Sequence, residues 1–196
     1  MKLTHSTYRL TLTALFVALI LLFGLTPVGL IPLGFINVTI LCVPVVAGTL
    51  ILGLKTGLLL GACFGLVSFL SMLGVLLTPP SALADALFSA NGFLAAVMCF
   101  VPRLAVPVAA WSIYKLAAKK EERSRRALPF AAAAGSIANT ILYLGMMLLF
   151  YVICGLDASA ILGLIAGTGA IAGVSEAVVA ALIVTPVVTA IWKIQK

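Results

Sequence analysis

The stretch GFLAAVMCFVPRLAVPVAAWSIYKLAA, Gly92 to Ala118, runs directly into the polar run Lys119-Lys120-Glu121-Glu122-Arg123-Ser124-Arg125-Arg126. It exceeds the roughly 20 apolar residues that carry a helix across a bilayer. Away from its ends it holds one cation, Arg103, about eleven residues or ~16 Å of helix rise from Gly92. A charged side chain at that depth costs roughly 2.5–3.5 kcal/mol even on the gentler scales, so its default reading is functional. Pro102 stands directly before it. A proline there frees a backbone carbonyl one turn back, a feature of helices that line cavities.

The rest of the chain has the same character. Of 196 residues, 64% are hydrophobic and 9% charged, with a mean hydropathy of +1.31. A water-soluble domain of this composition has too little polar surface to stay wet. After allowance for loops, the length holds roughly six crossings. These are expected over Tyr8–Leu25, Asn37–Leu54 with a kink at Pro44, from the turn ending at Gly57 to about Leu76, Gly92–Ala118 interrupted by Pro102 and Pro107, Leu128–Ile153, and Ala172–Trp192. Short helices are expected over Ser81–Phe88 and Ala160–Ala166, with a tight turn at Gly53–Gly57. The first apolar run has no small-x-small cleavage site after it and reads as a retained helix.

With six crossings, Lys2, Arg9, Lys55, Lys115, Lys119, Lys120, Arg123, Arg125, Arg126, Lys193 and Lys196 share one face, and Asp85 and Asp157 the other. That asymmetry makes the basic face, with both termini, cytoplasmic. The net charge of +7 belongs to this topology and does not indicate nucleic-acid binding. The expected fold is all-α: a six-transmembrane-helix bundle forming one domain over residues 1–196, with membrane lipid around it.

Three polar groups fall within crossings: Arg103, Asn139 and Glu176. None faces lipid cheaply, so all three are expected to face the interior. Arg103 and Glu176 form either a structural ion pair or, with Arg103 as a planar bidentate donor, part of an anion site. Asn139 serves equally as a ligand contact or as glue between helices. Asn37, Thr39, Asn91 and Thr140 are further cavity candidates, each also able to cap a helix or bond its own backbone. Small residues recur at four-residue spacing, as Ala14 and Ala18, and as Gly57, Gly61 and Gly65. Such ridges let helices approach closely, inside a bundle or between partners.

Cys42, Cys63, Cys99 and Cys154 make no CxxC pair and His5 is the only histidine, so neither a metal site nor a disulfide framework is expected. No Walker A loop, Ser-His pair or carboxylate cluster is present to drive ATP hydrolysis or intramembrane catalysis. An intramembrane enzyme and a purely structural subunit are the readings from other classes.

Several segments carry a family resemblance. Ile31-Pro32-Leu33-Gly34-Phe35-Ile36-Asn37-Val38-Thr39, Val43-Pro44-Val45 and Leu52-Gly53-Leu54-Lys55-Thr56-Gly57 are the first; then come Gly61 to Ser68, Pro102-Arg103, Gly135-Ser136-Ile137-Ala138-Asn139-Thr140 and Gly173-Val174-Ser175-Glu176-Ala177. In this order the chain resembles the substrate-binding S components of energy-coupling-factor vitamin transporters, and among them the pantothenate-type members. The resemblance implies a six-helix binding subunit of a bacterial cell membrane, with a cavity facing outward and no cofactor. It also implies a transmembrane coupling protein and two cytoplasmic ATPases as partners, with Ala14 and Ala18 matching the family's contact with the coupling protein. Cys42 stands where the family often has His, and Leu54 where it often has Pro. A carboxylate on the vitamin would suit Arg103, and hydroxyls and an amide would suit Asn139 and Glu176. Folate and a hydroxymethylpyrimidine are the rival ligands.

Overall fold

A computed structural model describes residues 5–26, 29–32, 37–76, 81–118, 123–165 and 169–194. Helix α1 covers His5–Leu25, followed by short strands β1, Leu30–Pro32, and β2, Asn37–Thr39. The remaining helices are α2 Cys42–Leu52, α3 Leu54–Met72, α4 Ala82–Ala90, α5 Gly92–Ala118, α6 Leu128–Ile153, α7 Ser159–Leu164 and α8 Ala170–Ile194. Five of them (α1, α3, α5, α6 and α8) are long and apolar enough to cross a membrane.

The second expected crossing is corrected. Asn37–Thr39 is extended, pairing antiparallel with β1 so that Leu30 faces Thr39 and Pro32 faces Asn37. The helix begins only at Cys42 and has 11 residues, about 16 Å of rise against a hydrocarbon core about 30 Å thick. Pro44 therefore lies in the first turn, where a missing N–H costs little, and produces no mid-helix kink. Nearly every α2 residue is buried. It packs against α1, α3, α5, α6 and α8, as a helix that is apolar on all sides must.

Gly53 alone separates α2 from α3, with φ at 93°, a left-handed conformation that disfavours a Cβ. Helix α3 stops at Met72, short of the expected Leu76, because Gly74 turns the chain at φ 69°. Its glycines lie against α5. A Cβ on Gly61 would stand 2.7 Å from the Arg103 carbonyl oxygen, and one on Gly65 2.8 Å from the Phe100 ring. This ridge serves packing within the bundle. On α1 the inward positions are Phe16, Ile20 and Gly24. Ala14 and Ala18 precede Phe16 and Ile20 by two residues, about 200° around the helix, and are exposed.

Helix α5 continues through Pro102 and Pro107 without a break, where an interruption was expected. Two cations tie helix ends together. Arg9 donates to the Leu52 carbonyl at 2.8 Å, and Arg123 to the Trp192 carbonyl at 3.0 Å. Both acceptors lie in last turns, where carbonyls lack helical partners and the dipole favours a cation. Tyr114 and Trp192 pack nearby with their rings tilted, centres 6.1 Å apart. Of the segments read from sequence, Pro27-Val28, Leu33–Ile36, Pro79-Pro80, Lys119–Glu122 and Gly167 lie outside the described residues.

Candidate functional site

The centre of the site follows from Pro102. With no N–H, it leaves the Met98 carbonyl without its partner four residues on. Arg103 Nη1 donates to that carbonyl at 3.1 Å, so the guanidinium is drawn back along its own helix. Phe64 of α3 and Tyr143 of α6 flank it, their ring centres 5.3 and 4.6 Å from Cζ. Aromatic faces attract a guanidinium and reduce the cost of removing it from water. Arg103 is only 8% exposed, and its Nε has no hydrogen-bond partner among the described residues.

Helix α6 supplies the facing polar groups. Ser136, Asn139, Thr140 and Tyr143 recur at spacings of three and four and share one side of the helix. Gly135 lets that side approach α5, since a Cβ there would stand 3.3 Å from the Val106 carbonyl oxygen. Ser136 and Asn139 are buried, and neither Ser136 Oγ nor Asn139 Oδ1 has a partner among the described residues. Leaving a buried polar atom unpaired costs about 1–3 kcal/mol. Three such atoms, Arg103 Nε, Ser136 Oγ and Asn139 Oδ1, lie buried on the packed helices α5 and α6.

Helix α8 closes the set. Gly173 brings it against Thr140, whose Cγ2 would lie 3.1 Å from an added Cβ. One turn on, Glu176 Oε2 accepts from Thr140 Oγ1 at 3.1 Å. The same hydroxyl lies 3.3 Å from the Ser136 carbonyl, and its single hydrogen serves one acceptor at a time. Cys42, at the start of α2, is buried.

Of the residues read from sequence, Arg103, Asn139, Thr140 and Glu176 thus fall on the facing surfaces of α5, α6 and α8. Arg103 bonds Met98 and Glu176 bonds Thr140. Asn91 is elsewhere: exposed, its Oδ1 accepts from the Phe93 and Leu94 amides at 3.1 and 3.2 Å and caps α5. Asn37 and Thr39 lie in β2, and their side chains are outside the described part of the structure. Ser136, Tyr143 and Phe64 were not expected as site residues. The helical period through Asn139, three residues on from Ser136 and four before Tyr143, was the signal for two of them.

A guanidinium flanked by two rings, among buried polar groups inside a bundle of membrane-length helices, describes a multi-pass membrane protein with a polar interior. The chain belongs to the family described as "ECF transporter, substrate-specific component", which it matches over residues 8–194. It is similar to the pantothenic acid transporter PanT of Lactococcus lactis subsp. cremoris (strain MG1363), with 30% identity over 161 residues, 79% of this chain and 78% of that protein. The family expected from the segments between Ile31 and Ala177 is therefore the right one.

Proposed function

We propose that this chain is the pantothenate-binding subunit of a vitamin uptake system in a bacterial cell membrane. The observation that carries the reading is Arg103, buried, held between Phe64 and Tyr143, with Nε free to donate. A carboxylate is the natural partner of such a group, and burial strengthens the attraction. Ser136, Asn139 and Glu176 then meet the hydroxyls and amide of the same molecule. The name of the Lactococcus relative supports pantothenate over other vitamins.

Six crossings, with the short α2 and the hairpin together making the second, put Lys55, Lys115, Arg123, Arg125, Arg126 and Lys193 at the cytoplasmic face. The site then opens outward. Ala14 and Ala18, exposed on α1, form the contact with a transmembrane coupling protein, through which two cytoplasmic ATPases supply energy. Calorimetry of the purified chain with pantothenate, set beside mass spectrometry of any molecule that copurifies, tests the reading. Saturable binding of pantothenate is expected. Retention of folate or a pyrimidine instead, with no pantothenate binding, overturns the substrate.

A further inference from the structure

Helix α5 carries Pro102 and Pro107 in its interior. Each removes the amide that would reach the carbonyl four residues back: that of Met98 for Pro102, and that of Arg103 for Pro107. The two freed carbonyls meet different neighbours. The Arg103 carbonyl oxygen faces the glycine ridge of α3, where a Cβ added to Gly61 would stand 2.7 Å away. The Met98 carbonyl takes Arg103 Nη1 at 3.1 Å. Met98 is fully buried, so its carbonyl depends on a donor from the protein, and a buried carbonyl without one is costly. Helical side chains lean toward the N-terminus, the direction in which the Arg103 guanidinium reaches back to an acceptor five residues earlier.

We infer that Pro102 is a positioning residue for the anion site: by withholding its amide it reserves the Met98 carbonyl for the Arg103 guanidinium, and so sets the direction in which Nε points. This rests on Arg103 being the anion contact of the proposed function. Nη1 is tied to the main chain, and the Phe64 and Tyr143 ring centres lie 5.3 and 4.6 Å from Cζ, so the guanidinium is fixed before a ligand arrives. Nε, without a partner among the described residues, is the nitrogen left for the anion. A donor already held in its bound orientation loses less freedom on binding, which raises affinity without any added contact. An amide at position 102 would compete for the same oxygen, and the ligand would then have to order the guanidinium itself.

Two variants that both lack the pyrrolidine ring separate the effect of the amide from that of the ring. Pro102→Ala restores the N–H. The α-hydroxy analogue of alanine at the same position, placed by nonsense suppression, puts an ester oxygen there and leaves the Met98 carbonyl free. In full-length protein in lipid nanodiscs, Pro102→Ala is expected to bind pantothenate about ten- to a hundredfold more weakly, the worth of one hydrogen bond from a charged donor. The ester variant should bind as the wild type does. Without ligand, the Arg103 Nε–H signal in nitrogen-edited NMR spectra, assigned by its loss in Arg103→Lys, should be sharp in the wild type and the ester variant and broadened in Pro102→Ala. Wild-type affinity or an unchanged signal in Pro102→Ala overturns the inference, because the Met98 carbonyl then serves both donors through its two lone pairs. An ester variant with weakened binding and a broadened signal overturns it as well, by assigning the effect to the ring; that arm decides alone if Pro102→Ala does not fold. If the wild-type chain binds no pantothenate, the substrate reading fails instead, and the spectra still decide the role of Pro102.

Discussion

Gly61 of α3 lies directly against the backbone of Arg103: a Cβ there would be 2.7 Å from the Arg103 carbonyl oxygen. That atom is main chain and cannot rotate away, so any side chain at 61 must push α3 and α5 apart. Phe64, one turn along α3, is one of the rings flanking the guanidinium. Gly61→Ala is therefore expected to cost about 1–3 kcal/mol of stability by overpacking and to weaken ligand binding through the displaced ring. Thermal melting with and without ligand would show both effects; an unshifted melting temperature would mean the helices yield there freely.

Arg103 itself should be indispensable for binding and dispensable for insertion. Arg103→Ala removes a charge-assisted contact worth about 1.5–3 kcal/mol per hydrogen bond, so affinity should fall at least about a hundredfold if two bonds are lost. Lys at this position should recover little, because an ammonium lacks the planar fork. Calorimetry on the two variants decides the matter. Binding by Arg103→Ala at wild-type affinity would leave Arg103 as a structural group only.

Asn139 offers a test in which stability and binding move in opposite directions. Its Oδ1 is buried without a partner among the described residues, a cost of about 1–3 kcal/mol to the empty protein. Asn139→Leu removes that cost at similar volume. The ligand-free protein should melt higher while losing affinity for its ligand. A variant that is both less stable and unchanged in binding would identify the amide as interhelical glue.

The four-residue spacing of Ala14 and Ala18 has an outward setting, since Phe16 and Ile20 take the inward face of α1. Replacing both alanines with Trp should leave the bundle and its ligand affinity intact but keep a partner helix at a distance. Uptake by cells and recovery of the assembled complex should both be lost. If the isolated chain also stops binding, the alanines act within this protein.

Legibility from sequence followed the range of the forces involved. Helices α5 and α6 match the expected Gly92–Ala118 and Leu128–Ile153, because local signals mark their ends: Asn91 caps one, charge follows it, Pro129 opens the other and Gly155 ends it. The hairpin was hidden because Asn37–Thr39 continues smoothly into the apolar run of α2, and only pairing with Leu30–Pro32 makes it extended. Arg103, Asn139 and Glu176 stood out as polar groups among apolar neighbours. Tyr143 and Ser136 did not, since both are ordinary in membrane helices and gain their place only from what faces them. Asn91 kept two readings in the sequence, and the hydrogen bonds from the Phe93 and Leu94 amides bear out the helix cap. Its role is local, and a cap at the start of a long helix looks the same in one dimension as a cavity residue.

The described part of the segment Thr78 to Asn91 contains α4. The helix has the make-up of a lid. Ala84 and Leu87 are buried, while Asp85, Ser89 and Ala90 are exposed. Its underside rests on Met98 and Cys99 beside Arg103. Outside its own turns it is held by side-chain packing and by the Tyr151 hydroxyl on the Leu83 carbonyl, attachments weak enough to break and re-form within a binding cycle. A nitroxide on Ser89→Cys, with Cys63 and Cys154 replaced by Ser, reports its motion from the exposed face. Adding pantothenate should narrow the range of motion and sharpen any distance measured from Ser89 to a second label on α8. An ordinary connector has no reason to respond, so identical spectra with and without saturating ligand would make α4 a fixed part of the bundle.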